Sequence, residues 1–321
     1  LRSADAERYN LNDTLASSRD LEKLFETLSS HKDCRGENAV FTAVSVMANP
    51  DFKKIKSSDF STYYYEPFTE TLQRTPGCEK SFEQWKTGID THLFVPQMHA
   101  REHLNVLAWM KALQRNEKQT RLAFESGMTG FVPENYPRVD YQSAFLLEDP
   151  NDIEFQKEVL VSGLELFEKI FGYKAEYFVP PNGPFNNQLN ETLRLNGIKY
   201  RNISKIQKEP TGRGQYKKSI HWAGQKDKSG LFYITRNCFF EPNSVGKDWV
   251  DSCLKEIEIA FRYSKPAIIS SHRANYIGSL HEKNRDMGLN QLNQLLDRAV
   301  RKWPDLHFMT TVEMGKFLTK K

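Results

Sequence analysis

Apolar positions recur at helical spacing in residues 18–30, SRDLEKLFETLSS, where Leu21, Leu24, Phe25 and Leu28 fall on one side of the turn. Residues 39–50, AVFTAVSVMANP, are instead continuously apolar and β-branched. That is the mark of a buried strand, and Asn49-Pro50 stops it. Further helices are predicted at 79–90, 103–115, 117–127 and 151–172, with strands at 92–97 and 176–180. After PNGPF, a helix near 185–196 ends at Gly197, a glycine placed to close it. Strands follow at 198–202, 218–223 and 231–236, then a helix at 246–263 and the strand PAIISSH at 266–272. A helix at 287–301, the strand LHFMT at 306–310 and a helix at 312–319 complete the chain. Strand and helix alternate, and the strands are apolar enough to be covered on both faces. This rhythm predicts an α/β fold on parallel strands, either a β/α barrel or an open sheet. Residues 203–230, rich in Lys, Gly and Gln, break the rhythm and read as a solvated surface excursion.

Composition narrows the class. The 321 residues are 39% hydrophobic and 12% aromatic, a globular balance. We expect a single domain over residues 1–321, with its first strand incomplete or lying before residue 1. The 45 basic and 41 acidic residues are mixed along the chain, which leaves no nucleic-acid footprint. No apolar run reaches the length of a bilayer span. Cys34, Cys78, Cys238 and Cys253 are widely spaced with no C-x-x-C, so no zinc ribbon is encoded and no disulfide is demanded. Such usage favours a reduced, cytoplasmic compartment. The opening LRSADAERYN has no initiator Met, signal-peptide pattern or strand, and reads as a chain entered partway.

Candidate chemistry gathers in residues 92–109, HLFVPQMHAREHLNVLAW. His99 falls past a predicted strand, and His103 opens the next helix. In a β/α barrel, chemistry sits at the C-terminal ends of the strands. A spacing of four sets two imidazoles on one side of a turn, and neutral imidazole is a zinc ligand. The alternative is a pair that caps the helix through backbone carbonyls. A metal site needs at least a third protein ligand and an open position for water. PAIISSHRANY puts His272 at the end of another apolar strand, so His99, His103 and His272 are expected to share one pocket. YFVPPNGPFNN sets Pro180, Pro181, Asn182, Gly183 and Pro184 in a rigid turn, which either lines a pocket or only reverses the chain. Residues 99–103 also satisfy H-x-x-E-H, the inverted zincin pattern, with Glu102 as base and Glu176 as a candidate third ligand. That pattern needs both histidines inside one helix.

The order strand, H-x-x-x-H, helix, then strand with a Pro-rich turn, then strand-end His272 resembles the polysaccharide deacetylase family, carbohydrate esterase family 4. The longer strings PQMHAREHLNVLAWMKALQ, YNLNDTLASSRDLEKLF and ISSHRANYIG are similar to a divergent bacterial branch of it, and the resemblance covers most of the chain. There are departures. Ala100 stands where the family's second motif has Ser or Thr, and Val179-Pro180-Pro181-Asn182 keeps only the proline of the third. The family's late motif corresponds to Ile269 through His272. The resemblance implies a distorted β/α barrel and metal-dependent removal of N- or O-acetyl groups from a glycan. It makes His99 and His103 ligands of a divalent ion, zinc by expectation, and His272 the general acid. The family's paired aspartates, one a ligand and one the base, have no counterpart: no Asp-Asp occurs, and Asp5 is isolated. They are expected upstream of residue 1. Without them the barrel would be an inactive glycan- or partner-binding module. Pro181, Asn182, Arg273 and Asn275 are the expected contacts to the acetylated glycan. Arg285 lies near the same strand end, and Trp109 reads as helix core.

Overall fold

The structure is a computed structural model, which describes residues 2–3, 7–133 and 141–320. The chain divides into two compact units. One comprises Leu1–Asp5, Val44–Thr71 and Gln97–Thr235; the other comprises Ala6–Ala43, Leu72–Pro96 and Arg236–Lys321. Each is therefore assembled from segments distant in sequence.

Seven strands form a central sheet and an antiparallel ribbon: β1 (Phe41–Val46), β2 (Phe94–Ala100), β3 (Tyr177–Phe178), β4 (Tyr200–Asn202), β5 (Ile206–Gly212), β6 (Gln215–Ile220) and β7 (Phe232–Ile234). The five-stranded sheet runs in the order β7-β4-β3-β2-β1. Its β7/β4, β4/β3 and β3/β2 pairs are parallel. The protein is thus mixed α/β on a central parallel sheet, as the strand–helix rhythm predicts. Among the described residues the strands form this open run and separate two-stranded pairs, not a closed ring.

In the first unit, the helix Val106–Gln114 follows β2 and starts where the Asn105 side chain accepts from the Ala108 N–H. It buries Trp109 and Leu113 with Phe124, Phe131 and Tyr141. The helix Ile153–Phe171 lies close against the end of β2. A Cβ on Gly163 would come within 2.7 Å of Met98 Cε and 2.9 Å of Arg101 Cβ, so only glycine fits at this approach.

The second unit packs the helices Ser18–Ser29, Trp249–Arg262 and Glu282–Lys302 around Leu21, Leu28, Leu254, Ile257, Leu292 and Leu295. A capping box between Ser17 and Asp20 opens the first of these helices. Asp20 also accepts from buried Arg285 at 3.2 Å and from the Gly278 N–H at 3.0 Å. A short parallel pair, Cys238–Phe239 with Ile269–Ser270, completes the unit.

Two expectations are corrected. Residues 306–310 join no ladder; Phe308 N–H instead donates to Asp33 at 3.0 Å as the chain approaches the helix Thr311–Thr319. Residues 203–230 are more regular than a surface excursion: the antiparallel ribbon of β5 and β6 lies there, and β6 overlaps the strand predicted at 218–223. All four cysteines are free thiols. Among the described residues no helix is long and apolar enough to cross a membrane.

Candidate functional site

In the first unit, His99 stands one residue before the end of β2. Its Nδ1 lies 2.6 Å from the carbonyl oxygen of Val179, just past β3. The parallel pairing of β2 with β3 brings the two together, since Val179 N–H donates to the Met98 carbonyl at 3.1 Å. A carbonyl can only accept, so Nδ1 carries the proton. The ring of His103, in the turn before the next helix, lies 5.1 Å from that of His99, centroid to centroid, at 65°. The spacing of four thus works across a strand end and a turn, not along a helix.

Between the histidines, Arg101 Nε donates to Glu102 Oε1 at 2.6 Å, and a second guanidinium nitrogen donates to Ser162 Oγ at 2.7 Å. The guanidinium lies over the rings of Tyr65 and Tyr63. The Glu102 carboxylate is buried, with the Tyr63 hydroxyl beside it. Burial pushes the Glu102 carboxyl above its usual range, against the pull of Arg101, and raises the Tyr63 phenol well above its own. This overturns the inverted-zincin reading: the motif lies outside any helix, Glu102 is engaged by Arg101, and Glu176 pairs with Lys199 at 2.5 Å. In the Pro-rich turn, Pro180 and Pro181 are buried, while Asn182 (φ 53°) and Gly183 (φ 95°) are exposed.

Tested against a divalent ion, the histidine pair fits half a site. His99 has its far nitrogen anchored on a carbonyl, the arrangement that orients a ligating imidazole. Among the described residues, no group of three His, Cys, Asp or Glu is placed to hold a metal. Asp5 lies outside the described residues.

The second unit holds a constellation around His272, just past the strand Ile269–Ser270. His272 Nδ1 lies 2.5 Å from Glu241 Oε1. The other oxygen of Glu241 accepts from Asn275 Nδ2 and from Arg8, each at 2.8 Å. Arg8 also donates to the Tyr9 hydroxyl at 2.6 Å, and the Tyr9 ring meets that of His272 edge-on. Burial would raise the Glu241 carboxyl, but His272, Asn275 and Arg8 outweigh it and hold the group below its usual range. The Glu241 side chain is 10% exposed and that of His272 54%, so a buried carboxylate anchors one ring nitrogen while the ring itself reaches solvent. That is the geometry of a proton donor or acceptor held in one orientation.

The other predicted contacts fall differently. Asn275 is fully buried, and its amide donates to Glu241, Ser271 Oγ and the His272 carbonyl, so it positions the carboxylate. Arg273 is exposed and makes a two-pronged pair with Asp13. Arg285 is buried on Asp20, and Trp109 is fully buried, the core residue its spacing predicts. Sequence reasoning missed Glu241. It lies 31 residues from His272, and nothing in NCFFEPN marks it apart from other acids.

No protein-family model matches the chain. No curated protein matches it in sequence. Solved structures that it resembles include a protein assigned as a polysaccharide deacetylase from Mycobacterium smegmatis, 9% identical, at a TM-score of 0.43 over 93% of this chain and 76% of that one. Another is a 4-alpha-glucanotransferase from Thermococcus litoralis, 11% identical, at 0.45 over 98% of this chain and 38% of that one. A third is assigned as a polysaccharide deacetylase from Pseudomonas aeruginosa PAO1, 12% identical, at 0.33 over 65% and 64%. At these TM-scores none carries a reaction or a residue role onto this chain.

Proposed function

We propose that the chain is a metal-dependent hydrolase that removes acetyl groups from a glycan. His99 and His103 are two ligands of its divalent ion, zinc or similar, and His272 is its general acid. One observation carries the reading: the His99 ring is anchored by Nδ1 on the Val179 carbonyl and lies beside the ring of His103, so two imidazoles stand together at one strand end. The resemblance of residues 96–114 and 269–278 to polysaccharide deacetylases supplies the substrate class. With that reading goes a distorted β/α barrel containing the parallel sheet, and an aspartate from upstream of residue 1 as third ligand. The chemistry a divalent ion would supply is polarisation of the acetyl carbonyl.

The chain's own residues do the rest. His272 gives its Nε2 proton to the departing amine or alkoxide oxygen. Glu241, bonded to Nδ1, fixes the ring and balances its charge while it is protonated. Arg8 and Asn275 hold the far oxygen of Glu241 and keep the carboxylate aimed. A second reading, a glycan-binding module without turnover, is favoured by the lack of an Asp-Asp pair in the chain.

The test is metal analysis combined with acetate release from acetylated chito- and xylo-oligosaccharides, using the full-length protein. His99→Ala should remove both metal and acetate release. His272→Ala should keep the metal and lower turnover by roughly 10²–10⁴-fold, the loss of a general acid. A His99→Ala protein with undiminished metal and activity would sink the assignment. Wild-type protein that binds the glycan but releases no acetate would establish the second reading.

A further inference from the structure

The ribbon β5/β6 in the first unit takes no part in the proposed hydrolysis, yet it is built with care on one face and left bare on the other. Its inner face is polar and tied down. Asn186 donates to the Pro210 carbonyl at 2.8 Å, Asn187 N–H to Glu209 at 2.8 Å, and Gln207 to the Phe185 carbonyl at 3.1 Å. The turn end is fixed too. Arg213 N–H donates to the Glu148 carbonyl at 2.6 Å, and a Cβ on Gly212 would lie 2.6 Å from Pro150. The ribbon is therefore tied to the unit both along its inner face and at its turn.

The outer face is basic and aromatic. In register, Lys208 stands opposite Lys218, flanked by Ile206 opposite Ile220 on one side and Tyr216 opposite Pro210 on the other. Both lysines, both isoleucines and Tyr216 are exposed, as is Trp222 just beyond β6. Residues 203–230 hold seven Lys or Arg and two acids, Glu209 and Asp227. Neither acid offsets the outer lysines. Glu209 is bound to Asn187, and Asp227 accepts from the N–H groups of Gly230 and Leu231. Like charges directly opposite on one face of a ribbon repel. An anion bridging Lys208 and Lys218 would turn that repulsion into two charge-assisted hydrogen bonds.

We infer that the outer face of this ribbon binds an acidic polysaccharide, with carboxylates bridging Lys208 and Lys218 and sugar rings stacked on Tyr216 and Trp222. The inference rests on the proposed glycan hydrolase and deepens it: the substrate chain carries acidic sugars. A fixed, exposed face fits an extended polymer laid across it. A bilayer would call for an apolar tip able to insert, and here the tip is Arg213-Gly214 packed down on the unit.

The test is equilibrium binding of the full chain to oligogalacturonate, beside a neutral cello-oligosaccharide of equal length, phosphatidylglycerol vesicles and single-stranded DNA. Oligogalacturonate should bind, weaken as salt rises and outcompete the other three. The double variant Lys208→Gln/Lys218→Gln should lose about tenfold or more in affinity, as should Trp222→Ala. Lys208→Gln alone should raise Tm while weakening binding, because it relieves the cross-strand repulsion; a merely structural lysine would not behave so. Unchanged affinity in the double variant, no binding of oligogalacturonate, or preference for vesicles or DNA would overturn the inference. Acetate release is read separately, so a failure here leaves the hydrolase reading to its own test.

Discussion

Burial alone would raise the Glu241 carboxyl; the hydrogen bond and charge of His272, then Asn275 and Arg8, hold it below the ordinary carboxylate range. Its folded-state pKa therefore lies below its unfolded one. The stability it contributes is complete above the unfolded carboxylate pKa of about 4.3 and is lost as pH falls through the folded value. Urea unfolding across the acid range should show wild type losing stability more steeply than Glu241→Gln, which has no carboxyl to protonate. Parallel curves would contradict the assignment. At neutral pH the same variant should also release acetate more slowly, since His272 loses its counter-charge. At this scale the sequence was half legible. His99 and His103 announce themselves by spacing. Glu241 does not, because a fold is needed to bring it to His272 across 31 residues. Glu102 shows the converse: H-x-x-E-H marks it as a base, yet its environment couples it to Arg101.

Elements carry these residues into place, and one helix does so at very close range. The helix Glu282–Lys302 passes the single turn Arg273–Tyr276 that holds Asn275. A Cβ on Gly288 would lie 1.8 Å from the Asn275 carbonyl oxygen. The Asn284 amide, on the same helix, donates to the Ala274 and Ile277 carbonyls at 2.7 and 2.8 Å. Gly288→Ala must push the turn away. The expected cost is about 1–3 kcal/mol of overpacking strain, with a fall in acetate release as Asn275 leaves Glu241. A Tm and a turnover equal to wild type would show that the turn yields without consequence. Helices with a full apolar stripe, such as Ser18–Ser29 and Ile153–Phe171, were legible almost to their ends. The helices Phe52–Ser57 and Phe68–Arg74 were not, being too short to show a period. In the β5/β6 ribbon the end of β6 was legible, and β5 was hidden for another reason. The polar side chains that β5 buries, Gln207 and Glu209, are satisfied by Asn187 and the Phe185 carbonyl, so no apolar alternation betrays that strand.

At the scale of the whole molecule, patterning shows what is buried but not against what. The stripe of Leu21, Leu24 and Leu28 reads as a core face in the sequence. That it packs with Ile257, Leu292 and Leu295, from the far end of the chain, depends on topology that no local window contains. Parallel strands make this general, since each pairing skips a crossover and leaves no turn signal between partners. The second unit gives a direct way to see it. Leu28 is fully buried, so Leu28→Ala should cost about 2–5 kcal/mol, the transfer term plus the cavity left behind. Because the core is one cluster, hydrogen-exchange protection should fall together in Ser18–Ser29, Ser81–Asp90 and Glu282–Lys302. Loss confined to Ser18–Ser29 would mean that the distant helices do not depend on this side chain. Loss shared with Glu282–Lys302 would tie the leucine stripe to the helix that clamps Asn275, and so to the carboxylate that orients His272.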